Sequence, residues 1–288
     1  MKRLLYLLFT FCFVNSSLSQ TLNNTNEYIF DISSLNPAAT GIQQSALHLY
    51  YGQKLVGIKE APKTQSIRFQ KQLAANTGIG FGLYNTLSGP SGSTAFYLSY
   101  AHIMKLNEKV RLALGIRGEV RSVFLDEKKL VLDNPNDNAI DGEFHRNILP
   151  EASTGLYVYA NKWSVGFAVA NLYGNEIYSK RAVKDSIIPY SFLLHVDYAI
   201  TMTKIKFIPQ IKAEYQAQKE ILINANLLAV FQQQFIVGAS FNSAQSIAII
   251  SGVISEKLHL NYVYTFPPSN MHSQIKGSHE LILSFQLK

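Results

Sequence analysis

The stretch Val110-Arg111-Leu112-Ala113-Leu114-Gly115-Ile116-Arg117-Gly118-Glu119-Val120-Arg121 governs how the rest of the chain is read. Val110, Leu112, Leu114, Ile116 and Val120 fall on one side of an extended strand, and Arg111, Arg117, Glu119 and Arg121 fall on the other. Strand side chains alternate between two faces, so one face here is apolar and the other charged. Taken alone, the segment also fits a soluble sandwich with a wet outer face. The destination of the chain and the number of similar segments narrow the choice.

The N-terminus has the pattern of a secretory signal peptide. Lys2 and Arg3 supply the positive start, Leu4 to Val14 the apolar run, and Ser17 and Ser19 the small residues that place cleavage before Gln20. The run of about eleven residues is too short to span a bilayer as a helix. The single cysteine, Cys12, lies within that run rather than just after it, which argues against a lipid anchor and leaves the mature chain without disulfides.

Composition fits a membrane barrel. Charged residues make up 16% of the chain and aromatics 12%, with 16 Tyr against 1 Trp. No later segment approaches 18 consecutive apolar residues, so transmembrane helices are not expected. Of 26 basic residues, removal of Lys2 and Arg3 leaves 24 against 19 acidic ones, a net charge of +5. The basic residues form no long run and no nucleic-acid module, so nucleic acid is not an expected partner.

Strand patterns recur along the whole chain. Ile79, Phe81 and Leu83 alternate with Gly78, Gly80 and Gly82, and Trp163, Val165, Phe167 and Val169 alternate with Ser164, Gly166, Ala168 and Ala170. Ile205, Phe207 and Ile211 alternate with Lys206, Gln210 and Lys212. Fourteen strands are expected, starting near residues 45, 63, 77, 93, 109, 151, 162, 189, 204, 220, 233, 245, 257 and 277. About 9–12 residues each suits a tilted crossing of the hydrocarbon core.

The connections alternate between longer ones, such as 54–62, 85–92, 122–150, 172–188 and 266–276, and shorter ones, such as 73–76, 104–108, 201–203 and 255–256; 216–219 and 243–244 break the alternation. Transmembrane barrels have long outer loops and short periplasmic turns. The expected fold is therefore all-β, a closed antiparallel transmembrane barrel, with residues 1–19 as leader, 20–44 as a plug or periplasmic lead-in, and 45–288 as the barrel. Two strands fit poorly. Ile221–Val230 is apolar on both faces apart from Asn224 and Asn226, and Ile247–Ile254 is nearly apolar throughout, so either their inner faces meet a plug or an apolar cavity, or the register is shifted.

Four motifs then carry a family resemblance. Asn36-Pro37-Ala38-Ala39-Thr40-Gly41 stands before the barrel, and Gly57 through Ala61-Pro62 and Thr64 reads G-x-x-x-A-P-x-T. Gly78-Ile79-Gly80-Phe81-Gly82 is followed by Ser88-Gly89-Pro90 and Leu98-Ser99-Tyr100-Ala101, and the chain ends on Gly277-Ser278-His279-Glu280-Leu281-Ile282-Leu283-Ser284-Phe285. In order and spacing these resemble the PorP/SprF family, over nearly the whole mature chain. Glu60 departs from the family pattern, where a small residue is common, and so does Asn85-Thr86, where an acidic turn is usual.

The resemblance implies an outer-membrane barrel of Bacteroidetes-type bacteria serving type IX secretion and gliding, similar in build to FadL transporters. The implied partners are other type IX secretion components, a secreted adhesin-type substrate, and the lipid and lipopolysaccharide of the outer membrane. The competing expectation is a FadL-like channel for a small hydrophobic solute.

No enzyme motif stands out. None of the seven His, at 48, 102, 145, 195, 259, 272 and 279, sits in a nucleophile elbow or other ordered motif, although His195 and Asp197 share a strand face. Asp126, Glu127, Asp133, Asp137, Asp141 and Glu143 crowd one loop, but Pro135 and Asn138 spoil the spacing of a calcium loop, so a solvated loop and no resident metal or cofactor are expected. Arg111, Arg117, Glu119 and Arg121 are expected to line the lumen, paired with one another or touching a plug or passing chain. Tyr97, Tyr100, Tyr262, Tyr264 and Phe266 are expected to form interfacial girdles.

Overall fold

The computed structural model describes residues 25–42, 45–130, 142–173, 190–216, 219–267 and 275–287. The leader expected in residues 1–19 lies outside these, as do Asp133, Asp137, Asp141 and His272.

Fourteen antiparallel strands close on themselves. They are β1 (Ala46–Gln53), β2 (Lys63–Ala74), β3 (Thr77–Ser88), β4 (Ser91–Lys105), β5 (Arg111–Asp126), β6 (Phe144–Tyr159), β7 (Trp163–Ala170) and β8 (Ser191–Tyr198, resuming at Ile200–Thr201). The remainder are β9 (Ile205–Gln216), β10 (Leu222–Phe231), β11 (Phe235–Asn242), β12 (Ser246–Ile254), β13 (Leu258–Thr265) and β14 (Ser278–Gln286). Each pairs with its neighbours in sequence, and β1 pairs with β14 along its whole length, from Ala46↔Gln286 to Gln53↔His279. Closure satisfies every strand edge, the condition for a sheet to stand in lipid. Among the described residues no helix is long and apolar enough to cross a membrane.

Alternation sets the facing. On β5, Leu114, Ile116 and Val120 are exposed on the outer wall while Ala113, Gly115 and Arg117 are buried inside. The same parity exposes Phe81 and Leu83 on β3 and Leu281 and Phe285 on β14. The two ill-fitting strands keep this register. Leu228 on β10 and Ala248 and Ile250 on β12 point inward and pack with Tyr28, Ile29 and Ile32, which lie inside the barrel.

Three expectations are corrected. The supposed loop 122–150 begins and ends as strand, because β5 and β6 stay paired out to Asp126↔Phe144. The supposed loop 85–92 shrinks to a tight turn at Gly89-Pro90, with Ser88 facing Ser91. Beyond the lipid, no apolar solvent enforces alternation, so strand continues there without its sequence mark. Tyr97 is not a girdle residue: it is 3% exposed, points inward and stacks on Tyr84. Tyr100 and Tyr262 are exposed on the outer wall.

The turns on the side of the chain ends are short, whereas 54–62, 127–143, 171–190 and 266–277 on the other side include the long connections. The short-turn side is the periplasmic one for such barrels. One outer connection is folded tightly. Lys54 N–H donates to Pro62 O at 2.9 Å, Val56 N–H to Gly277 O at 2.8 Å, and Lys276 N–H to Val56 O at 2.6 Å. Gly57, at φ 113°, and Glu60, at φ 57°, turn this loop, and Ala61 is buried beneath it.

Candidate functional site

The lumen is occupied by residues 25–42, which make three short 3-10 turns, Glu27–Ile29, Ile32–Ser34 and Pro37–Ala39. The second and third turns are capped by local side chains. Asp31 caps the second by accepting the Ser33 N–H at 3.0 Å. Asn36 caps the third, its Oδ1 accepting the Ala38 N–H at 2.9 Å. Pro37 stands at the first position of that turn, where its missing N–H costs nothing.

The Asn-Pro-Ala element also locks into the wall. Asn36 Nδ2 donates to Leu156 O at 3.0 Å on β6 and reaches Phe167 O at 3.4 Å on β7. A Cβ at Gly115, Gly155 or Gly166 would collide with Ala38 or Asn36, so these inward glycines are the seat of the element. Gly78 and Gly80 give the same room to Thr40. Gly41, at φ 71°, donates its N–H to Gln70 Oε1 at 3.0 Å.

Buried charge holds the upper part of the insert. The Arg68 guanidinium on β2 lies 2.6 Å from Glu27 Oε1 and 2.7 Å from Asp31 Oδ2, and all three side chains are at most 3% exposed. Ser66 donates to Glu27 at 3.1 Å, and His48 Nε2 lies 3.4 Å from Asp31. Burial pushes both carboxyls toward the neutral form. At Asp31 the fields of Arg68 and His48 outweigh burial and hold its pKa below the usual range, whereas at Glu27 burial prevails and its pKa is raised.

Further contacts reach other strands. Arg117 donates to Ser33 O at 2.5 Å and Ser34 O at 3.1 Å and lies 4.2 Å over the Tyr97 ring. Gln210 donates to Ile29 O at 3.1 Å, and Asn226 to Tyr28 Oη at 3.1 Å. Glu280 on β14 accepts from Asn26 N–H at 2.8 Å, Asn26 Nδ2 at 2.7 Å and Tyr50 Oη at 2.8 Å. The crevice among Asp31, Thr40, His48 and Arg68 has no room for a water molecule.

The remaining sequence-read residues divide by position. Glu119 and Arg121 pair at 2.6 Å in the lumen above the insert, and Glu119 faces Glu151 across the strand pair. Arg111 stands exposed at the periplasmic end of β5, away from the insert. Thr64 meets Thr86 at 3.4 Å at the outer end of β2, and Gly277, at φ 85°, precedes β14. His279 faces outward against Tyr262 and Tyr264, and Phe285 faces lipid.

His195 Nδ1 lies 3.8 Å from Asp197 Oδ1, and Ser164 donates to Asp197. The serine thus bonds the carboxylate and not the imidazole, which is not the order of a serine–histidine–aspartate triad. In the outer hairpin, Glu127 accepts the Gly142 N–H at 3.1 Å and faces His145 at 3.3 Å, and Asp126 pairs with Lys129 at 3.6 Å. Among the described residues no group of three or more His, Cys, Asp or Glu side chains is arranged to hold a metal ion.

The sequence reading missed Glu27, Asp31 and Arg68. Its signal was present in Ser66-Ile67-Arg68-Phe69-Gln70, where polar and apolar residues alternate.

Known barrels share this shape. The Ralstonia pickettii toluene transporter TbuX is 9% identical with a TM-score of 0.55, the match covering 88% of this chain and 92% of that one. A Pseudomonas aeruginosa FadL homologue is 8% identical with a TM-score of 0.51, covering 89% and 94%. The Pseudomonas putida toluene transporter TodX is 10% identical with a TM-score of 0.52, covering 95% and 96%. At such identities the likeness is one of fold, that of FadL-like outer-membrane barrels. No curated protein matches the chain in sequence. The family model for the type IX secretion system membrane protein PorP/SprF matches residues 17–285, nearly the entire chain that forms the insert and the barrel. The chain belongs to the PorP/SprF family of type IX secretion system membrane proteins.

Proposed function

We propose that this barrel is a non-enzymatic station of type IX secretion in the outer membrane, helping an adhesin-like substrate reach or stay on the cell surface. Residues 20–44 act as its plug and 45–288 as its wall, exported behind a leader cleaved before Gln20. The observation that carries this reading is the filled bore of a secretion-family barrel. Arg68, Arg117, Gln210 and Glu280, on four separate strands, fasten the chain's own segment inside. A lumen packed in this way is no conduit for a folded protein, so the outer loops become the working surface. In a deletion strain, surface immunolabelling of each secreted adhesin is expected to lose at least one. Normal surface levels of all of them would overturn the proposal, and loss of gliding would accompany the expected result.

A second reading follows from the likeness to hydrocarbon transporters: a channel for a small hydrophobic solute. Inward Leu228, Ile236, Ile250 and Val263 would line its path if residues 25–42 moved aside. Uptake of a labelled fatty acid into vesicles with and without the protein separates the two readings.

A further inference from the structure

The net charge of the molecule is concentrated on part of one rim. Three successive periplasmic turns and the strand ends beside them carry Lys105, Lys109 and Arg111 (β4–β5), Lys162 (β6–β7), and Lys204 and Lys206 (β8–β9). All six are exposed; Glu108 is the one carboxylate in the turns themselves, and Asp197, inward on β8, lies in the field of Lys206. Six cations less one anion gives +5, equal to the net charge of residues 20–288 (24 basic less 19 acidic). The other periplasmic turns differ: β10–β11 reads Gln232-Gln233-Gln234, β12–β13 sets Glu256 beside Lys257, and β2–β3 is approached by Lys71 alone.

Two details indicate that this arc faces a partner. Lys105 and Arg111 stand directly opposite each other across the β4–β5 pair. Like charges so placed destabilise a sheet unless an anion comes between them. The arc also exposes apolar side chains at its turns, Leu106 at 57% and Met202 at 60%. A rim with cations around exposed apolar anchors resembles a protein-binding surface more than a merely soluble one.

Direction separates protein from lipid. Lys105, Arg111 and Lys206 have the inward parity of their strands, and Lys109, Lys162 and Lys204 sit in turns. The charges are therefore offered to the aqueous compartment under the barrel mouth, not sideways to headgroups. A lipid belt would call for cations all round the rim, and these occupy one side. We infer that the arc from the β4–β5 turn to the β8–β9 turn docks an acidic surface of a periplasmic protein. This role is separate from adhesin display on the opposite face, and its test involves no adhesin, so either reading can fail alone.

The experiment uses the full-length barrel in phosphatidylcholine nanodiscs and a fluorescein-labelled polyglutamate peptide as the acidic probe, with binding followed by anisotropy. The arc variant K105Q/R111Q/K162Q/K204Q/K206Q is compared with K59Q/K63Q/K128Q/K129Q/K219Q, which removes as many charges from the outer side. The peptide is expected to bind the wild type, to bind the arc variant about tenfold more weakly with a shallower salt dependence, and to bind the outer-side variant as it binds the wild type. Equal binding to wild type and arc variant overturns the inference, and so does an equal loss in both variants. In a parallel set of nanodiscs containing phosphatidylglycerol, arc-dependent enrichment of that lipid around the barrel with unchanged peptide binding assigns the cations to lipid and likewise overturns it.

Discussion

Arg68 carries the heaviest charge burden of any single residue in the lumen. It neutralises Glu27 and Asp31 where no solvent screens them. Arg68→Ala strands both carboxylates and is expected to cost about 3–5 kcal/mol, the usual result of removing one partner of a buried pair. Urea unfolding of the purified protein, followed by Trp163 fluorescence, measures this, and an unchanged midpoint would refute it. Glu60 is a milder case. Its φ of 57° is the left-handed conformation that glycine adopts freely and a side chain resists. Glu60→Gly is expected to raise the same midpoint, by about 1 kcal/mol at most. A glycine would meet this torsion without strain. The motif was legible as letters, while the torsion angle behind it was not.

Strands are where the sequence spoke most clearly, because lipid and lumen demand opposite chemistry every second residue. On β5, Leu114→Arg puts a cation into the hydrocarbon and is expected to reduce the heat-modifiable, folded form on gels, at a cost of about 2–4 kcal/mol. Arg117→Ala is expected to assemble but to loosen Ser33 and Ser34; equal assembly of the two variants would invert the facing. Inward glycines were legible as alternation on β3, yet their purpose lay in a partner far away in sequence. A leucine at Gly155 would drive Asn36 from its seat, whereas Gly118 has open space beside it. Gly155→Leu is therefore expected to raise single-channel conductance in planar bilayers above that of wild type and of Gly118→Ala. The inward apolar sides of β10 and β12 looked anomalous for the same reason: the lumen they face contains Tyr28, Ile29 and Ile32 instead of water. Outside the membrane the period-two signal fades, and with it the boundary between strand and loop in residues 122–150.

As a whole, the molecule is a cylinder whose core is its own N-terminal segment. Removing residues 25–42 would wet Leu228, Ile236, Ile250, Val263 and Ile282, at about 1.5 kcal/mol or more for each side chain. The truncated barrel is expected to melt earlier by circular dichroism and to conduct ions; a truncation as stable and as silent as wild type would show the segment to be dispensable. The closing pair has a consequence for biogenesis. β14 is the last strand of the cylinder in chain order, and it both shuts the cylinder against β1 and carries Glu280, the acceptor for Asn26. A shut cylinder has no side door, so the segment must already lie within when the final strand arrives. Whatever machinery inserts the chain must therefore hold an open-sided intermediate around its own N-terminal part until β14 pairs with β1. A chain truncated after Phe266 would have neither the zipper nor the clasp.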